Sequence, residues 1–98
     1  MPETLLARTD EVLAAFEADL APVREPSDQQ VMAMVQHVVL GLNEVNREHN
    51  GRGYETGERE QLCLYIDKTL TEAGVDVQAL ASRRGIGRYA ITDEWRRW

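Results

Sequence analysis

Between Leu40 and Glu60 the chain reads LGLNEVNREHNGRGYETGERE, and the groups there that could do chemistry are amides, guanidiniums and carboxylates. Asn43, Asn46 and Asn50 recur at spacings of three and four, which lines them along one helical edge with Arg47 beside them. Amide donors and acceptors next to a cation suit the gripping of a peptide backbone or a carboxylate. The same Asn residues stand at the base of a glycine-broken loop, where tying the loop down through its backbone is the commoner use of such side chains. Both uses fit the pattern. Tyr54, Glu55 and Glu58 follow the loop, so the expected partner-binding surface is Asn43, Asn46, Arg47, Tyr54, Glu55 and Glu58, with Trp98 of the tail as an aromatic anchor.

Catalytic chemistries fare worse. Gly51, Gly53 and Gly57 precede a helix start, but their spacing is neither G-x-G-x-x-G nor G-x-x-x-x-G-K-[ST]. A helix rather than a strand leads into them, and Glu58 and Glu60 would repel a phosphate. His37, Glu44 and Glu48 share a helix face, yet the Glu-x-x-His pairs of carboxylate-bridged metal bundles are missing and there is no H-E-x-x-H. Cys63, between Leu62 and Leu64, reads as a small core hydrophobe, since no local His is available to activate a thiol. The expectation is a non-catalytic protein with no cofactor and no metal.

Helices must position these groups. From Thr4 to Ala21, Leu6, Leu13, Phe16 and Leu20 make one apolar face, widened by Leu5 and Val12, until Pro22 and Pro26 end the helix. Ser27 with Gln30 three residues on forms a capping box for the second helix. Val31, Val35, Val38, Leu42 and Val45, with Met32, Met34, Val39 and Leu40 alongside, predict a central helix packed on two or more sides and ending near His49 or Asn50 in a left-handed residue. Thr56 is the expected N-cap of a third helix over 58–73, with Leu62, Ile66, Leu70 and Ala73 as its stripe and Gly74 as its stop. Asp76 caps a short fourth helix through Arg84.

After Gly85-Ile86-Gly87, residues 88–91 read as extended, and Thr92 starts a last helical turn ending in Trp98. Tyr54 and Tyr89 each precede a Thr and an acidic helix start, so loops 53–56 and 88–91 offer a minimal two-stranded pairing. In the tail, Trp95 is expected to fold back on the core. The predicted fold class is mainly α: a single domain over residues 1–98, a bundle of about four helices with a short C-terminal helical turn.

A chain of 98 residues, 43% apolar and 29% charged, supports one core. One cysteine excludes an internal disulfide, which suits a reducing compartment. No apolar run is long enough for a membrane helix, and Met1-Pro2-Glu3 does not begin a signal peptide, so a cytoplasmic location is expected. Charge is placed unevenly: residues 1–82 carry 15 acidic and 6 basic side chains, residues 83–98 carry 2 and 5. Such a body repels nucleic acid and anionic lipid and favours encounter with a basic protein surface, although a net charge of -6 also serves solubility alone.

The segments LNEVNREHNG, YETGEREQLC and ITDEWRRW, in a short acidic helical chain, resemble the small bacterial immunity proteins that neutralise cognate secreted toxins. The resemblance covers the second half of the chain and transfers no individual binding residue. It implies a cytosolic location and tight, stoichiometric inhibition of a basic partner such as a toxin. Other readings are a homo-oligomeric scaffold or homodimer and a small regulatory protein. A DNA-binding regulator with a helix-turn-helix in 58–84, or a small-ligand or metal-dependent enzyme, agrees less well with the charge and the site residues.

Overall fold

Helix α1 spans Glu3–Leu20, α2 Asp28–Glu48, α3 Thr56–Glu72 and α4 Val77–Arg83, and a 3₁₀ turn follows at Arg88–Ala90. The computed structural model describes residues 2–98, and among these there is no strand. The expected mainly α bundle is therefore present, but its 3₁₀ turn falls at 88–90, ahead of the helical turn expected from Thr92 to Trp98, where the chain makes only a looser turn over 91–95.

Helix α2 is the central element. Ser27 caps it as the sequence predicts: the Gln30 N–H donates to Ser27 Oγ at 3.1 Å, and the Ser27 N–H donates to Gln30 Oε1 at 2.8 Å. Val35, Val39, Leu42 and Val45 are fully buried. Each such side chain contributes about 1.5–3 kcal/mol by leaving water, which outweighs the few tenths that a β-branched residue costs a helix. Leu40 departs from the expectation, since 46% of it stays exposed on the opposite side.

Helix α1 packs antiparallel on α2, with Arg8 reaching Glu48 at one end and Asp19 reaching His37 at the other. Gly41 permits the close approach between them, because a Cβ there would lie 2.8 Å from Val12 Cγ1. Leu5, Phe16 and Leu20 of the expected face are buried, with Val12 and Leu13 packed beside them, but Thr9 joins the face in place of Leu6. Leu6 is 46% exposed. Thr9, polar by type, is satisfied there by two hydrogen bonds inside the core.

Helix α3 runs parallel to α1: Pro2 and Leu5 border the same cleft as Glu55 and Glu58, while Leu20 and Ala21 lie opposite Thr69 and Ala73. Its cap is Glu55 rather than Thr56, with the Glu55 N–H donating to Glu58 Oε1 at 2.9 Å, so the helix begins earlier than expected. Gly74, at φ 92, closes α3, and Asp76 Oδ1 accepts the Ala79 N–H at 3.0 Å to open α4. Ion pairs join α4 to α2 through Arg83 and Asp28, and the 3₁₀ turn to α3 through Arg88 and Asp67.

Residues 88–91 are not extended and do not pair with 53–56. The Arg88 guanidinium donates to both Asp67 oxygens at 2.8 and 2.9 Å, the Ala90 N–H turns back to the Gly87 carbonyl, and the Gly53 N–H is already given to Asn46. Local contacts have taken the backbone groups that a strand pairing needs.

Candidate functional site

The polar edge of α2 comes from the helical period, which carries Asn43, Asn46 and Asn50 up one side while Val38, Leu42 and Val45 point into the core. Each Asn holds a different piece of chain. Asn43 clamps the tail: its Nδ2 donates to the Trp95 carbonyl at 2.7 Å and its Oδ1 accepts the Arg97 N–H at 2.8 Å. Asn46, buried, accepts the Gly53 N–H on Oδ1 at 2.9 Å. Asn50 adopts φ 61 and, with Gly51 at φ 73, turns the chain out of the helix. Gly51 then donates back to the Asn46 carbonyl, satisfying the helix end.

Loop anchoring is thus the use of Asn46, and Asn43 anchors a segment that is remote in sequence. The tight fit at Gly53 belongs to the same anchor, since a Cβ there would lie 3.1 Å from Leu5 Cδ1 and 3.2 Å from Asn46 Oδ1. His49 supports the turn from beneath, its Nδ1–H donating to the Val45 carbonyl at 2.9 Å. A carbonyl can only accept, which fixes the proton on Nδ1.

Tyr54 and Trp98, expected on the partner-facing surface, lie in the core instead. Their rings meet edge to face at 5.8 Å, and only 2% and 8% of the two residues remain exposed. The Arg96 guanidinium sits 5.2 Å from the Trp98 ring and also donates to Cys63 Sγ at 3.4 Å. Trp95 packs half-buried against the core, so both tail rings turn inward. Trp98 is buried because a core with a single Phe needs another large ring at the end where Asn43 pins the tail. Among the described residues, the Trp98 indole N–H has no acceptor within reach.

Arg47 and Glu55 stay at the surface and Glu58 is half-buried. Arg47 Nε donates to Glu44 Oε2 at 3.1 Å, and that pairing holds the Glu44 carboxyl below its ordinary pKa and the Arg47 guanidinium above its own. Burial pushes the Tyr54 phenol above its ordinary pKa. The residues weighed as metal ligands are engaged separately: His37 with Asp19, Glu44 with Arg47, Glu48 with Arg8. Among the described residues, no three His, Cys, Asp or Glu side chains come together as a metal site.

A groove of about 670 Å³ opens over this edge. It is lined by Leu40, Asn43, Glu44 and Arg47 of α2, by Asn50 and Gly51 of the turn that follows, and by Arg97 of the tail. Compared with protein-family models, with curated proteins and with solved structures, the chain matches none. Sequence patterning singled out this polar edge of α2, which the groove borders. It missed Leu40 and Arg97, because a groove between a helix and a tail arises only once Asn43 has joined them.

No helix among the described residues is long and apolar enough to cross a membrane.

Proposed function

We propose that this chain is a non-catalytic protein-binding module that inhibits a basic partner protein, in the manner of the immunity proteins its sequence resembles. The observation that carries the reading is the distribution of exposed charge. Glu3, Asp10 and Glu17 recur every seven residues of α1, so they stand about 10 Å apart along one exposed edge. Tyr65 of α3 donates to Glu17, which brings the exposed Glu72 of the same helix to that edge. Among the described residues, Glu3 and Asp10 enter no ion pair, whereas Arg8, Arg47, Arg83 and Arg88 are each held by an acid of their own chain. These four cations are paired within the chain, while Glu3 and Asp10 of α1 face outward.

Such an edge accelerates encounter with a basic surface and sets its orientation, while the buried contacts of the partner set how long it stays. Capture of partners from the native host, or with the product of the adjoining gene, tests the reading directly. A stoichiometric complex is expected, with an association rate that falls as salt rises and falls at least tenfold when Glu3, Asp10 and Glu17 are all changed to Lys. A partner that binds at a rate indifferent to salt and to these changes would remove the steering argument, and the absence of any stoichiometric partner would remove the reading itself.

A further inference from the structure

We propose that the groove over α2 receives a free polypeptide C-terminus ending in an apolar residue, its carboxylate held by Arg97 and Arg47 and its side chain laid on Leu40. Leu40 is 46% exposed on a helix whose other face is fully buried, and it lines a concavity of about 670 Å³, within the range of ligand pockets. Arg47 and Arg97 line the same concavity, in a chain whose net charge is -6. An apolar side chain and two cations in one concavity match a ligand whose carboxylate and apolar side chain leave the same carbon, and a terminal residue has that form.

The local electrostatics favour the carboxylate over a neutral end. Arg97 is placed by its own backbone, because Asn43 Oδ1 accepts its N–H, and its guanidinium spends one donor on the Arg96 carbonyl at 3.1 Å. Most of its five donors remain. Arg47 gives Nε and one Nη2 hydrogen to Glu44, which neutralises that carboxylate and leaves the Nη1 hydrogens of Arg47. The groove lies near the C-terminal end of α2, where free carbonyls would repel an anion. There the carbonyls of Asn46, Arg47 and His49 already accept N–H groups from residues 49–52. Arg97, which enters no ion pair among the described residues, thus lines the groove together with a Glu44 carboxylate already paired to Arg47.

The proposal rests on the protein-binding reading only in assigning the chain end to the partner; the groove itself is tested on this protein alone. The probes are N-acetyl-leucine and N-acetyl-leucinamide, titrated into the full chain while backbone amide resonances are followed. The acid is expected to shift Leu40, Arg47, Asn50 and Gly51 saturably, at least tenfold more tightly than the amide. Arg97→Gln keeps the N–H that Asn43 holds, so the tail stays docked, and it is expected to weaken the acid about tenfold, the loss of a charge-assisted hydrogen bond, without altering the amide. Leu40→Ser is expected to weaken both. Equal binding of acid and amide, shifts centred elsewhere, no saturable shift, or an Arg97→Gln variant that binds the acid unchanged would each overturn the proposal. None of these outcomes bears on whether a basic partner is captured.

Discussion

The Tyr54 hydroxyl lies 2.7 Å from Thr9 Oγ1, joining the residue that follows the central loop to the buried face of α1. Thr9 Oγ1 has one hydrogen, and it is given to the Leu5 carbonyl at 2.7 Å. Tyr54 must therefore be the donor in its bond with Thr9. The order of the two bonds makes the pair unequal. Tyr54→Phe removes a donor and leaves Thr9 satisfied by Leu5, a loss of about 1 kcal/mol, whereas Thr9→Val strands a buried phenol hydroxyl at about 1–3 kcal/mol. Denaturant unfolding should rank Thr9→Val below Tyr54→Phe, and the double variant should lie close to Tyr54→Phe alone. A Tyr54→Phe variant less stable than Thr9→Val would show that the bond runs the other way.

The same phenol makes stability depend on alkaline pH. Burial raises its pKa in the folded state above the ordinary value of about 10. The folded chain then holds the proton more tightly than the unfolded chain, so the contribution is complete below about pH 10 and is lost as pH rises toward the raised value. The advantage of wild type over Tyr54→Phe should be constant from pH 7 to 9 and shrink above about pH 10. Parallel stability curves for the two proteins up to pH 11 would contradict this.

Asn43 predicts a local rather than a global defect. Its two bonds fix the backbone on both sides of Arg96, and Asn43→Ala removes both, at a cost of about 2 kcal/mol from two bonds of about 1 kcal/mol each. Amide exchange at Arg97 should accelerate far more than at Val39 or Leu42 in the core of α2. Asn43→Asp keeps the acceptor for the Arg97 N–H but points a carboxylate oxygen at the Trp95 carbonyl, so it should not rescue the tail. Uniform acceleration along α2 would mean that Asn43 stabilises the helix and not the clamp.

The contrast between Asn46 and Asn43 shows where sequence reasoning ran out. Val31 through Val45 follow a strong helical period, Ser27 and Gln30 form a local cap, and Asn46 bonds a loop seven residues away; all of these are short-range patterns. Asn43 meets Arg97 across 54 residues, and no local pattern encodes which segment will arrive there. The inward turn of Trp98 has the same origin, since its spacing from Trp95 fits an exposed turn and a buried one equally well. Leu6 yields its place on the buried face of α1 to Thr9, a polar side chain that hydropathy assigns to solvent. Residues 88–91 carry extended propensity, but the ion pair of Arg88 with Asp67 decides their conformation.

Gly41 and Val12 should show coupling of opposite sign in two backgrounds. Glycine inside a helix costs about 1 kcal/mol relative to alanine, so Gly41→Ala should stabilise α2 where there is room. There is none in the wild type, where the new Cβ would lie 2.8 Å from one Val12 methyl carbon and 3.4 Å from the other. Overpacking of this kind costs about 1–3 kcal/mol. Gly41→Ala is expected to destabilise the wild type and to stabilise Val12→Ala, with the sign read from a double-mutant cycle of unfolding free energies. If Gly41→Ala stabilises both, α1 and α2 adjust to the methyl group and the close approach is not a constraint.

Trp98 sets two effects against each other at one position. Its ring meets Tyr54 edge to face and the residue is 8% exposed, while its Nε1–H is buried without an acceptor among the described residues. Packing alone makes Trp98→Ala cost about 3–5 kcal/mol, and an unpaired buried donor costs about 1–3 kcal/mol in the wild type. Trp98→Phe keeps an aromatic edge against Tyr54 and removes the donor, so the two changes oppose. It should lose less than half of what Trp98→Ala loses, despite the smaller ring. The indole N–H gives an independent readout: with no partner, its proton resonance should lie upfield of the hydrogen-bonded position and exchange slowly. A downfield, slowly exchanging indole resonance would reveal a bound acceptor and remove the reason for Trp98→Phe to be tolerated.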